Sequence, residues 1–420
     1  MSVGARTALT CVSSRDDQSR DESEENRSVR LRSIPYGVAH RLAPCRASFT
    51  CGQAQHFRIF CWLLVSLIIS GSGQLKALTR LMPFTIAYWT TLRFIRARVW
   101  DEQALLELMV SDALHTLPPP RDSVLHLIPD TTRKEKTGDQ QPLAYTTKTG
   151  KFEPYLFGHT VLLLLAHWGS FRIPVAVRVI DPQIRGHQNE LVREMLRHFK
   201  PPAWCEQVMV EADAGFAAKK TLQVIIELGY FYVFALPRTW KLADGTHLSN
   251  LARHLPKTFY RRVASSKADG RRRDYWTFRR SAQLSVLGHV TVVLSKRRFN
   301  DPPHKIKLLV TNLLEASTGE ILSHFARRWM VEVAFKELKS GLHLGEMQVT
   351  KEERRIQRSV ALPVMAYLLL LRLYGSELEP GQCASRFTLK QRFMAEAYEG
   401  QLHRIEARCK QKLERSKRAA

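Results

Sequence analysis

Hydrophobic positions divide the chain into a helical part and a later part in which strands and helices alternate. Between Phe49 and Leu117 the apolar residues recur at helical spacing, and Pro118 to Pro120 end this region. Three short β-rich runs follow, at Val124 to Pro129, His159 to His167 and Ile173 to Ile180. We expect three consecutive antiparallel strands from these runs.

The next segments switch regularly between the helical and the extended period. Helices are predicted over Asn189 to Lys200 and Phe216 to Leu228, and strands over Gln207 to Ala212 and Phe231 to Leu236. The resulting order, β-β-β-α-β-α-β, predicts an α/β fold with a mixed sheet. A further helix is expected from about Ser323 to Lys339, after a basic insertion with strand-like segments.

Composition marks the expected domain boundaries. Residues 11–33 are polar and charged, and they hold too few large apolar side chains to offset the entropy lost on ordering. The expected organisation is a disordered segment over 1–45, a helical N-terminal domain over 46–120, a core over 121–236 and 322–345, a β-rich insertion over 237–321, and a basic helical region over 346–420.

The charge of the chain indicates a polyanionic partner. Lys and Arg total 64 against 39 Asp and Glu, so the formal net charge is +25 and nucleic acid is the expected partner. The seven cysteines form no Cys-x-x-Cys pair, which indicates a reduced, cytoplasmic protein. The apolar runs Ile59 to Ile69 and Val360 to Leu371 fall short of the roughly 20 residues that cross a bilayer, so we expect buried helices and no membrane partner.

Two aspartates come at the ends of predicted strands. Asp130 follows the first strand and Asp213 the fourth, so their carboxylates meet at one end of the sheet if those strands are neighbours. Each could instead be a turn or helix N-cap residue, and Asp213 before Ala214-Gly215-Phe216 suits a cap. The strand pattern alone leaves both alternatives open.

The helix predicted near residue 330 carries an acid among cations on one face. At about 100° per residue, Phe325, Arg328 and Lys339 all fall within about 40° of Glu332. A carboxylate can hold a divalent metal, and nearby cations can hold the phosphates of a nucleic-acid strand. A surface helix with i,i+4 ion pairs would show the same stripe.

Three segments resemble those of bacterial insertion-sequence DDE transposases. The spacing Phe325-x2-Arg328-x3-Glu332-x6-Lys339 resembles the Y-x2-R-x3-E-x6-K signature of that family, with Phe in the Tyr position. The segment DTTRKEKTG from Asp130 resembles the family's first-aspartate block, and EADAGF, which contains Asp213, resembles the second. The resemblance covers about residues 120–345 and implies an RNase H-like catalytic core with a mainly β insertion.

The resemblance also implies an activity. It is that of a metal-dependent enzyme that cuts DNA at the ends of an insertion sequence and joins the new ends to target DNA. Asp130, Asp213 and Glu332 would be the catalytic residues and would bind two Mg²⁺ or Mn²⁺ ions. The implied partner is DNA, as terminal inverted repeats and as target, bound by a homodimer associated with the bacterial nucleoid.

The remaining signature positions imply contacts to DNA phosphates. Phe325, Arg328 and Lys339 would hold the backbone near the cut, although Phe325 lacks the hydroxyl of the family's Tyr. Between Ala252 and Lys307 the insertion adds 15 Lys or Arg against three acids, a composition suited to phosphates. The alternatives are a related nuclease that does not join strands, and a non-catalytic or domesticated DNA-binding protein.

Overall fold

The N-terminal part of the protein is helical. The computed structural model describes residues 34–49, 52–83, 85–137, 141–148, 155–266, 270–284, 287–348, 352–378 and 385–419. Its first helices are α1 (Tyr36–Leu42), α2 (Gln53–Ile69), α3 (Leu75–Arg80), α4 (Tyr88–Arg96) and α5 (Glu102–Thr116). They lie where apolar residues recur or run together in the sequence, and α2 is buried all round from Ile59 to Ile69.

The first helix, α1, packs into the core. Val38 and Leu42 are buried, and the 3-10 turn Ala43–Ser48 that follows buries Cys45. The disorder predicted for residues 1–45 is therefore wrong from residue 36 onward, because buried apolar area there offsets the entropy of ordering. Residues 11–33, the charged segment behind that prediction, lie outside the described residues.

One mixed sheet forms the centre of the described chain. Its strands are β1 (Val124–Glu135), β2 (Tyr145–Lys148), β3 (Tyr155–Trp168), β4 (Phe171–Val179), β5 (Gln207–Ala212), β6 (Phe231–Ala235), β7 (Arg261–Ser266), β8 (Arg272–Leu284), β9 (Gly288–Lys296) and β10 (Lys307–Thr311). The order across the sheet is β2-β3-β1-β5-β6-β10-β9-β8-β7, and β4 also pairs with β3.

Strand pairing in the first half follows the predicted order. β1, β3 and β4 are antiparallel neighbours, while β1, β5 and β6 run parallel. The crossovers between the parallel strands contain α6 (His187–His198) and α7 (Lys219–Glu227). The predicted fold class, an RNase H-like mixed α/β sheet with helical regions at both ends, is confirmed, with the short β2 as an additional strand.

The strands of the insertion continue the same sheet. β10 pairs antiparallel with β6 on one side and β9 on the other, and β8 and β7 complete the sheet to its edge. The short helix α8 (Leu248–His254) precedes them. The basic insertion is thus joined to the core strands by backbone pairing between β6 and β10 over three residue pairs.

Two helices and a π turn replace the single helix predicted over Ser323 to Lys339. They are α9 (Thr318–Arg327), α10 (Trp329–Lys336) and the π-helical turn Glu337–Gly341. The first begins at a capping box in which Ser317 and Glu320 bond each other's backbone N–H. A π turn winds more slowly than an α-helix, so the angle calculated for Lys339 is wrong.

A long apolar helix, α11 (Glu353–Tyr374), joins the sheet to the N-terminal helices by packing on β4, α2 and α5. Among the described residues, the helical segment Glu353–Glu377 is long and apolar enough to cross a membrane, and 83% of its most apolar window is buried inside the protein. The buried helix expected over Val360 to Leu371 is present and extends further. The last helix is α12 (Arg386–Ala419).

Candidate active site

Three carboxylates converge on one guanidinium, beside the middle of β1 and the end of β5. Arg328 Nη1 lies 3.4 Å from Asp130 Oδ2, its Nε lies 3.2 Å from Asp213 Oδ1, and its Nη2 lies 3.0 Å from Glu332 Oε1. A planar guanidinium can serve three acceptors because it carries donors on all three nitrogens. The structure therefore brings together all three predicted catalytic carboxylates.

Strand register sets the two aspartates level with each other. β1 and β5 pair in parallel with Leu127 opposite Val210, and the same register continued by three residues places Asp130 beside Asp213. Asp213 directly follows β5, as predicted. Asp130 was expected after the first strand but lies inside β1, because that strand continues in antiparallel pairing with β3 as far as Glu135.

The Asp213 side chain does not cap the helical turn that follows it. Asp213 occupies the N-cap position of the 3-10 turn Ala214–Phe216, but its carboxylate accepts no hydrogen bond from that turn. The side chain is 47% exposed and pairs with Arg328. The N-cap alternative is therefore wrong for Asp213, and its charge can serve a cation.

Electrostatics set Asp130 apart from an ordinary surface carboxyl. Its side chain is 20% exposed, and its Oδ1 accepts a 2.7 Å hydrogen bond from the Thr131 N–H. Burial raises the pKa of Asp130 to about 6, reinforced by Asp213 and Glu332 and opposed by the Thr131 N–H and Arg328. The three carboxylates therefore lie close enough for the negative charges of Asp213 and Glu332 to disfavour the ionised form of Asp130.

This donor set fits a divalent cation. The three carboxylates supply hard oxygen ligands, which Mg²⁺ and Mn²⁺ prefer. Arg328 sits where they converge, so the centre already holds one positive group against three negative ones. The residues that would hold a metal are Asp130, Asp213 and Glu332.

The other two signature residues, Phe325 and Lys339, lie in different settings. Phe325 lies on α9, and its ring packs in an apolar cluster, with the Lys307 ammonium 5.2 Å from the ring centroid. Lys339 lies in the π turn, where burial and the charge of Lys134 lower its pKa. Lys134 lies on β1 and was not among the predicted site residues.

A second polar cluster is formed by residues that precede the site residues in sequence, namely His126, Glu211, His324 and Arg327. Glu211 of β5 is fully buried, and its Oε1 lies 2.7 Å from His126 Nδ1 and 3.6 Å from His324 Nδ1. Arg327 Nη1 lies 2.9 Å from His126 Nε2 and 3.3 Å from His324 Nδ1. Burial lowers the pKa of the His126 imidazole and raises the pKa of the Glu211 carboxyl, so burial opposes a charge on either group.

None of these four residues was predicted as a site residue, although the spacing contained a signal. Even separations place side chains on one face of a strand, and His126 lies four residues before Asp130 while Glu211 lies two before Asp213. His324 likewise precedes Arg328 by one helical turn. An acid inside an apolar strand run such as QVMVEA is itself unusual.

The sheet and its acidic centre define an α/β protein of the RNase H-like class. The family model described as "Transposase DDE domain" matches residues 130–369, more than half of the chain, beginning at Asp130 and including Asp213 and Glu332. The chain belongs to this family of transposases. The narrower assignment to the bacterial insertion-sequence type with the Y-R-E-K signature stays a prediction.

Among solved structures, the chain is similar to the piggyBac transposase in a synaptic complex with hairpin DNA, determined by cryo-EM. The identity is 11%, the alignment covers 91% of this chain and 81% of that chain, and the TM-score is 0.47. No curated protein sequence matches the chain.

Proposed function

We propose that this protein is an active transposase, which cleaves DNA at the ends of an insertion sequence and transfers those ends into target DNA. The observation that carries the proposal is the convergence of Asp130, Asp213 and Glu332 on Arg328. Their side chains are 20%, 47% and 36% exposed, so a cation and a DNA strand can reach all three.

The chemistry needs no nucleophile from the protein. Two Mg²⁺ or Mn²⁺ ions bound by the carboxylates would activate a water or 3′-hydroxyl and stabilise the leaving oxygen of an in-line displacement. Asp130, the most buried of the three, fixes one side of the centre from the middle of a paired strand. Arg328 offsets part of the carboxylate charge, and its N–H groups could donate hydrogen bonds to a DNA phosphate instead.

DNA is the proposed partner, as inverted terminal repeats and as target, and we propose that a dimer binds it. Exposed cations such as Arg261 and Arg272 lie on the edge strand β7 and on its neighbour β8 in the insertion. Other cations there serve the fold, since Arg279 donates to the carbonyls of Leu314 and Ala316. The exposed group would bind phosphates without reading sequence.

A cleavage experiment tests this function. Linear DNA carrying the gene with its native flanks is incubated with wild-type protein, Glu332→Gln or Glu227→Gln in Mg²⁺ or Mn²⁺. Glu227 is exposed on α7 outside the carboxylate centre, so its variant is a matched control. We expect discrete metal-dependent cuts with wild type and Glu227→Gln, and a loss on the order of 10³-fold or more with Glu332→Gln.

Each other outcome identifies one of the alternatives. Cuts without joining to a second, target DNA would leave a related nuclease. DNA binding with no cuts by wild-type protein in either metal would indicate a non-catalytic DNA-binding protein. Equal cutting by wild type and Glu332→Gln would exclude this carboxylate centre as the active site.

A further inference from the structure

We propose that His126, Glu211 and His324 form a second metal site, selective for transition metals such as Zn²⁺ and structural in role. The site lies next to the carboxylate centre but shares no residue with it. It goes beyond the proposed cleavage of DNA, because its occupancy can be measured without any DNA.

The geometry of the three side chains is close to that of a metal tripod. The three candidate ligand atoms lie within 4.8 Å of one another. In a tetrahedral site with metal–ligand bonds near 2.0–2.2 Å, ligand atoms are separated by about 3.3 Å. The Glu211 Oε1 distances to His126 Nδ1, 2.7 Å, and to His324 Nδ1, 3.6 Å, lie on either side of that value.

An unsatisfied atom in the cluster points independently to a ligand. Glu211 is 0% exposed, and its Oε2 has no hydrogen-bond partner among the described residues. A buried carboxylate oxygen without a partner is costly, so native proteins rarely retain one unless a cation or water serves it. A metal ion bound at Oε1 would offset the negative charge of the buried Glu211 carboxylate, which Oε2 now carries without a partner.

The donor chemistry separates this site from its neighbour. Two imidazoles and one carboxylate suit Zn²⁺, Co²⁺ or Fe²⁺, whereas Mg²⁺ binds imidazole poorly. The carboxylate centre has oxygen donors alone and suits Mg²⁺ or Mn²⁺. The two sites should therefore bind different metals, the softer ions at the imidazole site and the harder ions at the carboxylate centre, although only Ala212 separates Glu211 from Asp213.

Arg327 is the cation that a metal must displace. Its Nη1 lies 2.9 Å from His126 Nε2 and 3.3 Å from His324 Nδ1, so it occupies imidazole lone pairs. When His126 Nδ1 binds a metal, the proton of that ring moves to Nε2. Nε2 can then no longer accept a hydrogen bond from Arg327. Arg327 is partly exposed, so its guanidinium can turn out to solvent.

The ligands come from the elements that build the active site. His126 lies on β1 with Asp130, Glu211 on β5 beside Asp213, and His324 on α9 just before Arg328. A metal bound by all three side chains would hold β1, β5 and α9 at a fixed spacing. The ion would act as a brace beside the reaction centre and take no part in the chemistry.

The test uses tag-free, full-length protein stripped of metal and titrated with Co²⁺ or Zn²⁺ alone. Co²⁺ bound by imidazole in a tetrahedral site absorbs visible light, and bound Zn²⁺ is counted by elemental analysis. We expect one equivalent in wild type and in Glu332→Gln, and binding weakened on the order of 100-fold in His324→Asn. His324 is 19% exposed, so this variant should fold, which circular dichroism checks.

Two further results decide the proposal. Arg327→Gln removes the competing cation and should bind Co²⁺ at least severalfold more tightly, while unchanged affinity would contradict the required displacement. No visible band in wild type, or a band lost in Glu332→Gln and kept in His324→Asn, would overturn the site. Failure here leaves the cleavage assay unaffected, so the two proposals can fail separately.

Discussion

Arg328 shows how a residue's surroundings change its role. Its spacing from Glu332 predicted a phosphate contact, and the structure gives it ion pairs with three carboxylates. The identity of those carboxylates followed from motif order and strand ends in the sequence. The sequence did not predict that Arg328 is the common partner of these carboxylates. That contact requires β1, β5 and the start of α10 to meet, and helical angles describe only the helix.

Phe325 is the position at which the sequence departs from the Y-R-E-K signature that it resembles. Tyr there would keep the ring 5.2 Å from Lys307 Nζ and add a hydroxyl that can donate to a DNA phosphate. One added hydrogen bond is worth about 0.5–1.5 kcal/mol, so Phe325→Tyr should raise the cleavage rate roughly two- to tenfold. Initial rates on the native flanking DNA measure this effect.

The control for that substitution is Phe259→Tyr, which adds the same hydroxyl to an exposed ring of the insertion. It should leave the cleavage rate unchanged. Equal rates for Phe325→Tyr and wild type would show that the missing hydroxyl has no part in cleavage.

At the level of elements, regular periodicity was predictable and its interruptions were not. The strands of the core follow from continuous β-rich apolar runs, and its crossover helices follow from apolar residues at helical spacing. The π turn at Glu337–Gly341 leaves no mark in that pattern, so one straight helix was expected. The true start of α9 did have a signal, the capping box Ser317-Thr-Gly-Glu320, in which Gly319 lets Ala264 of β7 approach closely.

Lys136 at the end of β1 should make folding stability depend on pH. Its buried Nζ donates to the carbonyls of Gly345 and Met347, and burial, reinforced by Lys134, lowers its pKa from 10.5 to about 8. The unfolded chain binds the proton more tightly, so this group's contribution to stability rises as the pH rises from about 8 to 10. Wild type should gain about 1–2 kcal/mol relative to Lys136→Met between pH 7.5 and 9.5.

Urea unfolding at both pH values measures this difference, and only its change with pH is diagnostic, since the substitution also removes two hydrogen bonds. Lys220→Met, at an exposed position on α7, is the matched control and should track wild type. Parallel pH dependence in wild type and Lys136→Met would show that the lysine is equally protonated in the folded and unfolded chains.

For the whole molecule, the net charge follows directly from composition, whereas the pairing of the insertion with the core does not. The basic strands were expected as a unit of their own, and they pair edge to edge with the core through β6 and β10. Pairing between strands more than 70 residues apart depends on contacts that local propensity does not encode. The domain boundaries themselves stay predictions.

The net charge of +25 predicts DNA binding that weakens steeply with salt. Replacing the exposed Arg272 and Arg297 of the insertion with Gln should lower the slope of log affinity against log salt by about 0.9 per lost phosphate contact. Affinity should fall equally for the gene's own flanks and for unrelated DNA of the same length. Fluorescence anisotropy at several salt concentrations measures both quantities.

Arg197→Gln, at an exposed position on α6 outside the insertion, removes the same charge and serves as the control. It should leave the salt slope near the wild-type value. A loss confined to the flanking DNA would instead mean that these arginines read base sequence.

The unbroken sheet from β3 to β7 has a mechanical consequence. Ladder hydrogen bonds connect the acidic centre on β1 and β5 with the basic edge at β7 and β8 through every intervening strand. A DNA strand gripped at that edge would therefore meet the carboxylates at a fixed distance from the grip. The sheet would thereby set the distance along the DNA between the phosphates bound at this edge and the bond that is cut.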